Sequence, residues 1–273
     1  MSDRYAVIGN PIGHSKSPLI HAVFARATGA DLTYEALLAP LDGFATTLRA
    51  FIAAGGRGVN VTVPFKQEAY ELADEAAESA RNALAANVLD VRDGRIVAHN
   101  TDGIGLLRDL TANLGCAVRG RRVLLMGAGG ASWGVAGPLL DSEPRQFTVA
   151  NRTVDKAVAL ARHFTRTGAA CVPEAKAYAD LAGRAYDVVI NATSAGLTDA
   201  MPSLPTGIFA AGAYAYDMVY GRETPFMRYA RNQGAQAVDG LGMLVEQAAE
   251  SFYIWRGIRP DTAPVIALLR SKE

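Results

Sequence analysis

Arg121-Arg-Val-Leu-Leu-Met-Gly127-Ala-Gly129-Gly130-Ala131-Ser132 is the stretch that decides the fold. Val123 to Met126 is a short apolar run bounded by glycine, the pattern of a strand buried on both faces. The glycines let the backbone turn tightly and approach a bound group closely. Ala131 to Leu140 is mostly small and apolar, as a helix start packed on a sheet would be. Such a turn aims free N–H groups and the positive helix end at one point, which suits a pyrophosphate. The dinucleotide fingerprint has a third glycine where this chain has Ser132. On these residues alone, a glycine-rich turn that holds nothing stays open.

Around this stretch the second half alternates strands and helices. Strands are expected at Val123–Met126, Phe147–Ala150, Ala170–Val172, Asp187–Ala192, Ala213–Met218 and Ala235–Val238. That alternation predicts a parallel, doubly wound sheet with helices on both faces. Asn151-Arg152-Thr153 ends the second strand, where an acidic residue would bind a ribose 2′-hydroxyl, and the triplet has no Asp or Glu. Arg152 can instead pair bidentately with a 2′-phosphate, and Lys156 adds a second charge, so the cofactor expected is NADP rather than NAD. A surface arginine of no consequence is the alternative. Asn191-Ala-Thr-Ser194-Ala-Gly196 ends the fourth strand with small residues that let a nicotinamide or ribose lie close to the sheet edge.

The first half starts with a strand at Tyr5–Ile8, broken by Gly9-Asn-Pro-Ile-Gly13. Ser17 before Pro18 reads as a helix start, so it is a cap or a functional residue with equal weight. Leu19, Val23, Phe24 and Ala27 give that helix an apolar face, and Gly29 ends it. A strand at Thr33–Leu38 and a helix marked by Phe44, Leu48, Phe51 and Ile52 follow. In Gly58-Val-Asn60-Val-Thr62-Val-Pro64-Phe-Lys66, Val59, Val61 and Val63 alternate with Gly58, Asn60 and Thr62, placing Asn60 and Thr62 on one strand face. Lys66 lies just past the strand end, as a solvated lysine or as an acid or base. Asp93-Gly94 signals a hairpin. Asp102 opens a long helix through Ile104, Leu107, Leu110 and Leu114, and propensity alone reads it as a cap. Asp239-Gly-Leu-Gly-Met243 opens a further helix with an apolar face at Leu244, Val245, Ala248, Phe252 and Trp255. This helix and one near Val265–Leu269 are expected to fold back on the first domain.

The chain has 273 residues, comfortable for two domains, with half its residues hydrophobic and 20% charged. Lys+Arg and Asp+Glu are both 27, which gives no reason to expect nucleic acid or an anionic membrane as partner. Two distant cysteines suggest neither a disulfide framework nor a zinc site, and the four histidines lack metal-ligand spacing. No apolar run is long enough to span a bilayer and the start lacks a secretion signal, so the expected location is cytoplasmic.

The strings Gly9-Asn-Pro-Ile-Gly-His-Ser-Lys-Ser-Pro18, Asn60-Val-Thr-Val-Pro-Phe-Lys66, Asn100-Thr-Asp-Gly103, Gly127-Ala-Gly-Gly-Ala131, Asn151-Arg-Thr153, Asn191-Ala-Thr-Ser194 and Asp239-Gly-Leu-Gly-Met-Leu-Val-Glu-Gln247 resemble the shikimate dehydrogenase family, in that family's order and from end to end. The resemblance implies NADP-dependent interconversion of 3-dehydroshikimate and shikimate in aromatic amino-acid biosynthesis, by a monomer or homodimer. It implies an α/β fold with a substrate domain at 1–104, completed by 240–273, and a Rossmann NADP-binding domain at 105–239. It puts Lys66 and Asp102 in catalytic roles and Ser15, Ser17, Thr62, Asn87, Tyr220 and Gln247 on the substrate. Cofactor contacts would be Gly127, Ala128, Gly129, Gly130, Ala131, Asn151, Arg152, Thr153, Lys156, Met218 and Gly240. Two departures stand out. Trp133 occupies a place where members commonly carry a basic residue, and Leu84-Ala-Ala-Asn87 replaces a common Gly-Ala-Val-Asn. Quinate or NAD use, and a non-catalytic dinucleotide sensor on the same fold, are the competing readings.

Overall fold

A computed structural model describes residues 2–165, 171–193 and 200–272. The chain forms two compact units, Met1–Gly105 with Leu244–Glu273, and Leu106–Met243. Among the described residues no helix is long and apolar enough to cross a membrane.

The first unit is built on a six-stranded sheet of order β2-β1-β3-β5-β6-β4. Its strands are β1 (Asp3–Gly9), β2 (Leu32–Leu38), β3 (Gly56–Val61), β4 (Glu75–Ala76), β5 (Val88–Arg92) and β6 (Arg95–His99). β1 runs parallel to β2 and β3, β5 is antiparallel to both β3 and β6, and β4 is parallel to β6. Tyr5 to Ile8 is buried throughout, as a central strand requires. The β5–β6 hairpin closes on Asp93 and Gly94, both at positive φ (50° and 79°), the conformation that Asp-Gly pairs favour. Helices α1 (Ser17–Thr28), α2 (Phe44–Ala53), α3 (Lys66–Leu72) and α4 (Glu78–Ala83) connect the strands.

Two local expectations are corrected here. Ser17 is the first residue of α1 rather than its cap: Lys16 holds the cap position and no side chain caps the helix. The alternation through Val63 stops two residues early, because the Phe65 N–H closes a turn on the Thr62 carbonyl and Val63 is 62% exposed.

The second unit holds a six-stranded sheet of order β12-β11-β10-β7-β8-β9, every pair in it parallel. The strands are β7 (Arg122–Met126), β8 (Gln146–Ala150), β9 (Glu174–Lys176), β10 (Tyr186–Asn191), β11 (Phe209–Asp217) and β12 (Gln236–Val238). The order reverses between β7 and β10, the switch point at which doubly wound sheets bind ligands. Successive residues of β7 enter different apolar clusters: Val123 and Leu125 pack with α6 (Gly130–Asp141) and α7 (Val154–Phe164), whereas Leu124 and Met126 pack with α8 (Pro225–Asn232). Both faces of the sheet are therefore covered.

The third strand of this sheet departs from expectation. Cys171 and Val172 precede it in irregular chain, Val172 is 58% exposed, and Ala170 lies outside the described residues. The strand is Glu174-Ala-Lys176, a short polar edge that an apolar run four residues earlier hid.

α5 (Asp102–Arg108) continues as a π-helical turn over Asp109–Asn113, and the chain passes between units within α5 and again within α9 (Leu241–Arg256). The C-terminal part of α9 and α10 (Ala263–Arg270) belong to the first unit. Trp255 stacks on Tyr5 with ring centroids 4.7 Å apart. A side chain at Gly58 would meet the Trp255 ring nitrogen at 2.5 Å, so the contact needs glycine.

Candidate active site

In the first unit, strand direction gathers the polar residues at one sheet edge. β3 ends at Val61 and a turn leads to Lys66 at the start of α3, antiparallel β5 begins just after Asn87, and β6, antiparallel again, ends at His99, shortly before Asp102. The three residues are drawn together by strand direction, despite their separation in sequence. Lys66 Nζ lies 2.6 Å from Asp102 Oδ2. Asn87 Nδ2 donates to Asp102 Oδ1 at 2.9 Å, to Thr101 Oγ1 at 3.0 Å and to Gln247 Oε1 at 3.3 Å. The Thr101 N–H donates back to Asn87 Oδ1 at 2.8 Å. Asn87 is 3% exposed and Asp102 8%, whereas 29% of the Lys66 side chain meets solvent. The arrangement is an ammonium donor open to a ligand on one side and fixed by a buried carboxylate on the other. α5 and α9 pack closely here: a side chain at Gly105 would fall 2.7 Å from Gln247 Cβ.

A second set lies along the same edge. The Ser17 N–H donates to Ser15 Oγ at 3.3 Å, and the Ser17 hydroxyl bonds the buried Tyr34 hydroxyl. Tyr34 in turn donates to Asn60 Oδ1 at 2.7 Å, and Asn60 Nδ2 reaches Ser251 Oγ at 2.9 Å and the Asn87 carbonyl at 3.2 Å. Hydrogen bonds thus link Ser17 to Asn87. Thr62 packs its methyl where a Gly9 side chain would stand, 2.4 Å from that position. Tyr34, Asn100, Thr101 and Ser251 escaped the reading of the sequence as site residues. Tyr34 and Ser251 bond Asn60 across 26 and 191 residues, and no local pattern carries such contacts.

The second unit carries the predicted cofactor residues at the carboxyl edge of its sheet. Gly127 follows β7 at φ +101°, and a side chain there would sit 3.1 Å from the Ala192 carbonyl. Among the described residues, nothing stands within 4 Å of where side chains at Gly129 and Gly130 would be. α6 starts at Gly130, after Gly129 at the cap position and without a side-chain cap, leaving the first-turn N–H groups of Gly130, Ala131 and Ser132 for an external acceptor. This open, uncapped cradle fits a dinucleotide pyrophosphate. Ser132, in the place of the fingerprint's third glycine, is fully buried and small enough for the helix–strand packing required there.

Asn151 Nδ2 donates to the Thr153 carbonyl at 2.8 Å, folding the bend that presents Arg152, and the Lys156 N–H bonds the same carbonyl at 3.1 Å. Beyond β11, the Met218 N–H donates to the Asn191 carbonyl, and a side chain at Gly240 would lie 2.4 Å from the Met218 carbonyl. Buried Asp217 accepts from Asn191 Nδ2, Thr224 Oγ1 and the Val219 N–H, fixing this edge. Tyr220 belongs to this unit and burial raises its pKa. Trp133 packs on His163 with ring centroids 4.8 Å apart, so its ring is committed to α7. Ser194 and Gly196 lie outside the described residues.

Three family profiles match: "Shikimate dehydrogenase substrate binding domain" over residues 7–89, "Shikimate / quinate 5-dehydrogenase" over 110–198 and "Shikimate 5'-dehydrogenase C-terminal domain" over 240–270. The chain is 58% identical to the shikimate dehydrogenase (NADP(+)) of Methylobacillus flagellatus over 98% of its length and 99% of the relative's. Among solved structures, an Ael1 enzyme from Pseudomonas putida is 51% identical with TM-score 0.92, at 98% coverage of both chains. Shikimate 5-dehydrogenase from Thermus thermophilus, solved in complex with NADP(H) and shikimate, is 35% identical with TM-score 0.86, covering 98% of this chain and 99% of that one.

Proposed function

Since the chain belongs to the shikimate dehydrogenase family, we propose that Lys66 and Asp102 carry the proton transfer of an NADP-dependent oxidoreductase that reversibly reduces 3-dehydroshikimate to shikimate. The observation that carries this reading is the 2.6 Å contact between Lys66 Nζ and Asp102 Oδ2 at the edge of the first sheet. When bound, the nicotinamide would supply or accept the hydride. Lys66 gives its proton to the oxygen of the carbonyl being reduced, and takes it back from the hydroxyl in the reverse direction. Asp102, held by Asn87, keeps the ammonium aimed and hydrogen-bonds the substrate.

Shikimate offers a carboxylate and three hydroxyls, so its site needs short hydroxyl, amide and charged groups. Ser15 and Ser17 suit the carboxylate, and Thr62, Asn87, Gln247 and Tyr220 suit the hydroxyls. We assign 1–104 with 240–273 to substrate binding and 105–239 to NADP. There Gly127, Ala128, Gly129, Gly130 and Ala131 would hold the pyrophosphate, Asn151, Arg152, Thr153 and Lys156 the adenosine phosphate, and Met218 and Gly240 the nicotinamide. A cytoplasmic monomer or homodimer completes the reading.

Initial rates with shikimate or quinate, each paired with NADP⁺ or NAD⁺, test it. Shikimate with NADP⁺ should be strongly preferred, and quinate turnover with NAD⁺ would move the protein to a broader branch. Lys66→Ala should lower kcat by about 10²–10⁴-fold. Near-normal kcat in that variant would sink the proton-transfer assignment.

A further inference from the structure

We propose that Lys176 is a further specificity-determining residue, closing with Arg152 and Lys156 a three-cation site for the ribose 2′-phosphate of NADP. The inference rests on the NADP reading above and extends it to a residue on a different strand.

The β8–β9 register places Lys176 directly opposite Ala150, the last residue of β8. The Asn151 N–H then donates to the Lys176 carbonyl at 3.2 Å, so the bend that presents Arg152 is hooked onto the backbone of Lys176. Paired residues in parallel strands face the same side of the sheet, and side chains two positions on return to that side. Ala150 and Tyr178 both pack in the apolar cluster beneath β10 and β11. Lys176 is the register partner of Ala150 and so lies on the face of that cluster. The Arg152 charge is felt by the Tyr178 hydroxyl, which also bonds the backbone of Gly127. The tip of β9 therefore adjoins both the glycine turn and the Arg152 bend.

Charge points the same way. Among the described residues, none of Arg152, Lys156 and Lys176 takes part in an ion pair, although arginines elsewhere in the unit pair with acids, as Arg122 does with Asp187 and Arg184 with Glu174. The nearby Asp180 carboxylate is engaged by the Ala177 N–H. Like charges gathered at one corner repel one another, and an arriving dianion relieves that repulsion. A phosphate monoester has the charge and the acceptor oxygens for several such donors, whereas a ribose hydroxyl has neither. The edge strand that sequence reading misplaced is the one that delivers this lysine.

Binding of NADP⁺ and NAD⁺ to the full-length protein, followed by calorimetry without substrate, tests the assignment. Lys176→Gln should weaken NADP⁺ binding about fivefold and leave NAD⁺ unchanged, and Lys176→Arg should restore it. Adenosine 2′-phosphate and adenosine, titrated as fragments, should show the same contrast. Equal losses for NADP⁺ and NAD⁺, or no loss for either, would overturn the role of Lys176. Arg152→Gln measured alongside separates the two levels of inference. If it shifts the NADP⁺/NAD⁺ ratio and Lys176→Gln does not, only the lysine assignment falls. If neither shifts it, the 2′-phosphate reading falls as well.

Discussion

Asp102 offers one carboxylate oxygen to Lys66 and the other to Asn87, so charge and orientation are set by different partners. Asp102→Asn would keep the shape and lose the charge facing Lys66. The expected result is a kcat drop of at least about 10²-fold with far-ultraviolet circular dichroism unchanged, and wild-type kcat would refute an electrostatic role for Asp102. By propensity this same residue reads as a helix cap, because a cap and a catalytic carboxylate at a helix start look identical in one sequence. Lys66 and Ser17 are ambiguous for the same reason. Ordered family motifs, not periodicity, turned each toward function. Tyr34 and Ser251 carried no signal, since what matters about them is contact with Asn60 from distant elements.

Short irregular segments at the strand ends decide where functional groups stand. Gly240 illustrates this: its N–H bonds the Val219 carbonyl, and a side chain there would collide with the Met218 carbonyl. The backbone atoms it would strike cannot rotate away, so Gly240→Ala must move the segment beside Met218. It should cost about 2–3 kcal/mol of stability and raise KM for NADP⁺ more than KM for shikimate. Unfolding in urea together with steady-state kinetics checks both, and an unchanged KM ratio would detach this segment from the cofactor. At the same scale, buried strands such as β7 were legible from apolar runs. β9 was not, because a three-residue polar edge is defined by its pairing with β8 rather than by composition. The early end of β3 likewise follows from Pro64 and the turn that Phe65 closes, not from the valines.

For the whole molecule, the parallel order of the second sheet followed from strand–helix alternation. The mixed order of the first did not, since β3 pairs with β5 across two helices. What holds the C-terminal part of α9 in the first unit is an aromatic cluster centred on His21 of α1. Its ring stacks on Tyr34 at 4.1 Å and lies 5.5 Å from Trp255 and 6.2 Å from Phe252. Among the described residues, neither ring nitrogen has a hydrogen-bond partner of good geometry. Complete burial drives the His21 pKa down to about 3, against a smaller upward effect of Asn60. The unfolded chain, with an ordinary histidine pKa of about 6.5, then binds a proton that the folded chain refuses. Stability is retained in full above about pH 6.5 and declines as pH falls toward 3, by at most about 1.4 kcal/mol per unit from this residue. His99, also lowered by burial, acts in the same direction, so the informative quantity is a difference between proteins. Between pH 7 and pH 5, His21→Phe should lose about 2 kcal/mol less stability than the wild type in urea unfolding. The His21 ring proton should meanwhile show no titration by NMR above pH 5 in the folded wild type. Parallel stability profiles, or a midpoint near 6.5, would mean that a charged His21 is tolerated inside the cluster and that burial there carries no acid-linked cost.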